Sequence, residues 1–173
     1  NSDAALTLVF GHHPVTDTGV SDDTWLFYGQ QDFIAALDAR AASSYHYGHT
    51  HRYSQALFTG NSYTGVMTGD GIHYDNVASL GKSSASNFTV VAIDCNGMSS
   101  ITKTVGAWPI VLITAPVAGY VGGSVNPYAY AVPNGSANPI RALVFDPGDV
   151  AGVSYRVDGG VTWHPMSRAA ANP

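Results

Sequence analysis

Two strand-like runs in this sequence each stop at a glycine and deliver histidine immediately after it, and a helical pattern lies between them. The first run, Ala4 to Phe10, is continuously apolar, halts at Gly11 and is followed by His12-His13-Pro14. Its lack of alternation predicts a strand buried on both faces. The second, Ser44 to Tyr47, halts at Gly48 and is followed by His49-Thr50-His51. Between them, Gln30 to Ala42 places Phe33, Ile34, Leu37 and Ala41 on one helical face, with Gly29 near its start. Strand, helix, strand in that order is a βαβ unit, and layered α/β folds gather their sites at the carboxyl ends of such strands. The expectation is an α/β fold that brings histidines from two strand ends together.

Downstream, Arg52 to Leu57, Gly65 to Thr68 and Phe88 to Ile93 read as further strands, the last turning at Asn96-Gly97 into Ser100 to Val105. The histidine-bearing pattern ends near Gly106, which divides the chain into residues 1–106 and 107–173. The second part opens with the run Trp108 to Thr114 and shows no helix signal. Arg141 to Phe145, Val153 to Val157 and Val161 to Trp163, separated by Asp146-Pro147-Gly148 and Asp158-Gly159-Gly160, predict a β-meander belonging to an incomplete sandwich. Trp108 and Trp163 are expected in core or interdomain packing. Both ends look cut: Asn1-Ser2-Asp3 leads straight into a strand, and the last strand-like run lacks a following partner.

Composition narrows the class. With 45% hydrophobic and 11% charged residues, the chain is too apolar for disorder, while Gly and Pro interrupt every run short of membrane-spanning length. A net charge of -5 leaves no basic stripe for nucleic acid but does not bar a small phosphorylated substrate. The single cysteine, Cys95, cannot form an internal disulfide and is read as a packed thiol. Few charges with many Tyr, Ser, Thr, Asn and Gly resemble the surfaces of exported proteins, so an extracytoplasmic or secreted location is expected. Two sequons, at Asn87 and Asn134, would accept glycans only in a eukaryotic secretory pathway.

In an extended segment, side chains at i and i+2 point the same way, so His49 and His51 would present two imidazoles on one side. Their tips would then serve two ions at the roughly 3.5 to 4 Å spacing of two-metal hydrolysis. Gly48 would let the chain turn closely beneath them. Gly11-His12-His13-Pro14 and Gly48-His49-Thr50-His51 together resemble the later motifs, Gly-His-x-Pro and Gly-His-x-His, of the calcineurin-like metallophosphoesterase superfamily, which includes the purple acid phosphatases. The resemblance covers roughly Leu6 to Val105. It implies the C-terminal half of a four-layer αββα sandwich, followed here by an immunoglobulin-like β domain. It further implies two metal ions, Fe, Mn or Zn, with His12 and His49 on one and His51 on the other.

The same resemblance implies hydrolysis of a phosphate monoester or diester by metal-hydroxide attack. His13 occupies the variable position and is a candidate catalytic residue beside the ligands, the alternative being a packed imidazole satisfied by backbone groups. Arg52 is a candidate for a phosphate oxygen, against the commoner reading of a solvated strand start. His73, behind Gly69-Asp70-Gly71, is a second candidate for substrate contact at a loop lip, against a plain turn. Asp17 reads as surface, and His46 alternates with Tyr45 and Tyr47 and so faces away from them.

The family's earlier motifs, Asp-x-His, Gly-Asp-x-x-Asp and Gly-Asn-His-Asp/Glu, do not occur in the chain. The expectation is therefore a rear wall of a site, inactive alone. A different class of function, a non-catalytic surface or filament-forming scaffold, is suggested by Tyr128-Ala-Tyr-Ala-Val132, whose edge would permit self-assembly. A nuclease of the same superfamily is disfavoured by the acidic balance.

Overall fold

The computed structural model describes residues 6–15, 26, 28–58, 72–77, 79–81, 86–94, 97–121, 124–126, 129 and 138–169. Gly65 to Thr68, Gly69-Asp70-Gly71, Asp17, Cys95, Asn134 and Tyr128 lie outside them, as do Tyr130 to Val132. The expected βαβ unit forms: β1 (Leu8–Phe10), α1 (Gln30–Ala39) and β2 (Ser44–Tyr47), with β1 and β2 parallel. β3 (Ser54–Phe58) and β4 (Ile72–Asn76) complete a four-stranded sheet of order β1-β2-β4-β3, in which β4 runs parallel to β2 and antiparallel to β3.

Side chains alternate across β2 and β4, so this sheet has two chemically different faces. Tyr45, Tyr47 and Tyr74 lie on one and pack with Ile34 and Leu37 of α1, Val15, Ala42 and Ile72 in a buried core. Phe33 meets the ring of Tyr45 edge-on at 5.1 Å, and Tyr45 stacks on Tyr47 at 5.4 Å. Burial raises the Tyr45 phenol and pushes Tyr47 up to about 12, so both stay neutral in any ordinary buffer. The opposite face carries Ser44, His46, His73 and Asp75, and it too is buried.

That second face is covered by an antiparallel hairpin, β5 (Asn87–Asp94) and β6 (Gly97–Thr104), in register from Asn87 opposite Thr104 to Asp94 opposite Gly97. Gln55 on β3 donates to Ser100 on β6 at 2.8 Å, which ties the hairpin to the sheet. Thr89 and Thr102 share a hydrogen bond of 2.8 Å across it, a stabilising cross-strand pair. After a turn at Gly106 (φ 84), β7 (Ile110–Ala115) lies against both hairpin strands.

Several expectations are corrected. α1, ten residues long, is the one helix among the described residues, and strands dominate, so the fold is β-rich and the αββα sandwich expectation fails. One local βαβ unit does not supply the second helical layer that the sandwich requires. The immunoglobulin-like sandwich is not found among the described residues either. β8 (Tyr120–Val121) pairs with β9 (Ser124–Val125), β10 (Arg141–Phe145) pairs with β7, and β11 (Ser154–Tyr155) pairs with β12 (His164–Pro165). These separate two-stranded ladders replace the expected meander, because β10 finds its partner earlier in the chain, in β7, rather than in the strand that follows it. Trp163 is 60% exposed beneath Arg156, which sits 5.2 Å from its ring, and Trp108 is 46% exposed, so neither is core. β1 is an edge strand whose Phe10 is largely exposed, contrary to burial on both faces.

The helix also stops earlier than predicted. Ala42 donates to the carbonyl of Leu37 at 2.9 Å and Ala41 to that of Asp38 at 2.8 Å, the paired closure of a Schellman ending, with Ala41 in the left-handed position at φ 47. A left-handed alanine costs about 1 to 2 kcal/mol, offset by about 0.4 to 1 kcal/mol of chain entropy if glycine replaces it. Ala41→Gly is expected to raise stability by about 0.5 to 1 kcal/mol, read as a higher urea midpoint with unchanged slope.

Candidate functional site

The two glycine-histidine elements meet at the carboxyl ends of β1 and β2. The amide of Gly48 donates to the carbonyl of His12 at 3.2 Å, and the amide of Gly11 to that of His46 at 3.0 Å, so the strand ladder continues into the loops. Gly11 is needed for close approach: a Cβ there would lie 2.8 Å from ring carbons of Tyr45 and would also collide with its hydroxyl. That same hydroxyl donates to the carbonyl of His13 at 2.8 Å. The tyrosine core is thus coupled directly to the backbone that presents His12 and His13.

Gly48 plays a different part from the one expected. A Cβ on it would only reach ordinary contact distance, 3.9 Å from the carbonyl of Val77. The left-handed turns fall on His49 (φ 67) and His51 (φ 57), so residues 49–51 are not extended and the simple i, i+2 argument does not apply. Thr50 holds this bent segment. It is buried, its amide donates to the carbonyl of Gly48 at 2.8 Å, and its hydroxyl accepts from the side-chain amide of Asn76 on β4 and from the backbone of Arg52 at 3.4 Å.

As a result, one ring nitrogen from each of His12, His13 and His49 lies within 4.8 Å of the others. His12 Nε2 and His49 Nδ1 are 3.0 Å apart, and the rings of His13 and His49 are 4.2 Å apart between centroids. An ion held at about 2.0 to 2.1 Å by imidazole spaces its nitrogens about 3 to 3.5 Å apart, so this donor set fits one metal after a small adjustment of the exposed His13. His51 is outside the triplet but lines the same open pocket of about 510 Å³, with Phe10, Gly11, His12, His46 and His49 among its walls. Arg52 is exposed and is not among the pocket's lining residues.

His73 does not form a loop lip. It lies on the central strand β4, 5% exposed, and faces a separate cavity. Beside it, the buried Asp75 carboxylate lies 3.3 Å from His46 Nδ1, an ion-pair distance without hydrogen-bond alignment, while His46 Nε2 is 3.0 Å from the Ser44 hydroxyl. Both Asp75 oxygens lack a hydrogen-bond partner among the described residues. This is a Ser-His-Asp order in space, but Ser44 is fully buried, so it supports the strands and meets no substrate. The alternation of polar and aromatic residues in Ser-Tyr-His-Tyr and Ile-His-Tyr-Asp-Asn is the one sequence signal that could have revealed it.

The chain matches no family model and no curated protein sequence.

Burial holds the His73 imidazole below its ordinary value of 6.5, with Asp75 pulling it up and His46 pushing it further down. A histidine depressed in the folded state leaves the unfolded chain binding more protons, so its contribution to stability is present above 6.5 and declines as pH falls below it. The urea midpoint is expected to drop between neutral and mildly acidic pH, and less steeply in His73→Gln. Thr50→Val keeps the shape of residue 50 but strands the buried Asn76 amide, at a cost of about 1 to 3 kcal/mol by the same measurement.

Proposed function

We propose that the histidine triplet binds a single divalent metal and forms one wall of a phosphoester-hydrolysing site. The observation that supports this reading is the convergence of His12, His13 and His49 from two different strand ends, where burial of neighbouring groups fixes the backbone and His12 and His49 line an open pocket. Three neutral imidazoles suit Zn, Mn or Fe and leave coordination positions for water and substrate. Held by these residues, a metal would supply Lewis acidity, lowering the pKa of bound water and offsetting charge on a phosphoryl oxygen.

The chain's own residues bind and orient. His12 Nε2 and His49 Nδ1 lie 3.0 Å apart, and His13 completes the set in place of the beside-the-ligand role expected for it. His51 stands in the pocket outside the triplet, where it can meet a second ion or the phosphoryl group. Tyr45 and Thr50 act through the backbone, as positioning residues. The donor set among the described residues is purely imidazole at this point, which favours one ion over the expected pair.

Calorimetric titration with Zn²⁺ and with Mn²⁺ tests the ligand set. One ion per chain is expected, with affinity reduced about tenfold or more, about 1.4 kcal/mol, in His12→Ala, His13→Ala and His49→Ala, and little changed in His51→Ala. Equal affinity in His13→Ala and wild type would return the third position to another residue. Nitrophenyl-phosphate hydrolysis by the full-length protein that survives His49→Ala undiminished would remove the phosphoesterase reading.

A further inference from the structure

The open pocket of about 510 Å³ that His12 and His49 line has a second wall, which carries no imidazole of the triplet. Phe10, at the end of β1, stacks on His46, its register partner on β2, with ring centroids 5.1 Å and planes 22° apart. Both residues line the pocket, on the polar face of the sheet. Phe10 is nevertheless 74% exposed, so much of its surface is open. Thr89 and Val91 of β5, which also line the pocket, stand opposite Thr102 and Ser100 of β6. Ser100 accepts from Gln55 on β3, so this is the hairpin face turned toward the sheet. Val77, just past β4, adds a further apolar side chain to the lining.

We infer, building on the phosphoester reading, that this pocket takes esters of an uncharged aromatic alcohol, with Phe10 as the specificity-determining residue that stacks on the aryl group while the phosphoryl group meets the histidines. Phe10 and His12 are two residues apart, so their Cα atoms are separated by at most about 7 Å, within the reach of a phosphoryl group carrying one ring. No carboxylate, ammonium or guanidinium lines the pocket among the described residues, so a charged alcohol portion finds no fixed countercharge there. Phe10, Val77 and Val91 bring no polar side chain, and Thr89 shares its hydroxyl with Thr102 at 2.8 Å, a poor complement to a polyol. A flat apolar ring matches this wall, because aromatic side chains favour offset-stacked or edge-on partners.

Calorimetric titration of the Zn²⁺-loaded chain with non-hydrolysable phosphonates reads this preference. Benzylphosphonate, in which a methylene replaces the ester oxygen of phenyl phosphate, is expected to bind about tenfold more tightly than methylphosphonate. It should also bind about threefold more tightly than cyclohexylmethylphosphonate, which has similar bulk without the flat ring. Amide NMR shifts induced by benzylphosphonate beyond those of methylphosphonate should fall on Phe10, Val77 and Thr89–Val91. Phe10→Ala should bring benzylphosphonate and methylphosphonate to within about twofold of each other, and Phe10→Trp should keep the preference. Equal affinity for benzylphosphonate and either control in the unaltered chain, or a preference undiminished in Phe10→Ala, would overturn the inference and leave the phosphoester reading in place. Failure of the Zn²⁺-loaded chain to bind any of the phosphonates would overturn that reading, and this inference with it.

Discussion

The parallel ladder between β2 and β4 sets His46 opposite Asp75 and Ser44 opposite His73, and the surrounding structure is organised by the need to cover that polar face. Removing a carboxylate from water costs several kcal/mol even after relaxation, and a neighbouring imidazole recovers it only in part. The sheet accepts this because its other face is an aromatic core, and because the β5–β6 hairpin closes over the polar side with its own hydroxyls. Gln55 to Ser100 is one tie between the two layers. A cavity remains where the closure is imperfect.

The histidine pocket inherits its shape from the same ladder. β2 carries Tyr45 on one face, and the tyrosine reaches past its own strand to the carbonyl of His13, a contact that only glycine at position 11 allows. β4 carries Asn76 at its end, and the asparagine pins Thr50 so that the two flanking histidines turn into left-handed conformations. Left-handed non-glycine residues cost about 1 kcal/mol or more each, and they persist where surrounding contacts over-determine them. The site is therefore a product of two strand ends and two buried anchors, and its strain is borne by the sheet.

Much of the local organisation was legible. The boundaries of β2 and β10 and the presence of α1 follow from periodicity and from glycine punctuation, which report on a few neighbouring residues. β4 was missed, although it is central, because Ile-His-Tyr-Asp-Asn looks like a polar loop when buried polar residues are not anticipated. The extended reading of His49 and His51 failed for a related reason: spacing gives side-chain direction only if the backbone is regular. Fold class was over-read from one βαβ unit, since a layer exists only if other segments pack to form it.

The residues at the two strand ends, their chemistry and their separation by a helix were determined by the sequence alone, because they depend on composition and short-range pattern. Tertiary structure decided which imidazoles meet. His13, not His51, joins His12 and His49, because Thr50 is held by a residue 26 positions away and turns the chain between them. That choice rests on a contact between distant segments, and no local pattern encodes it.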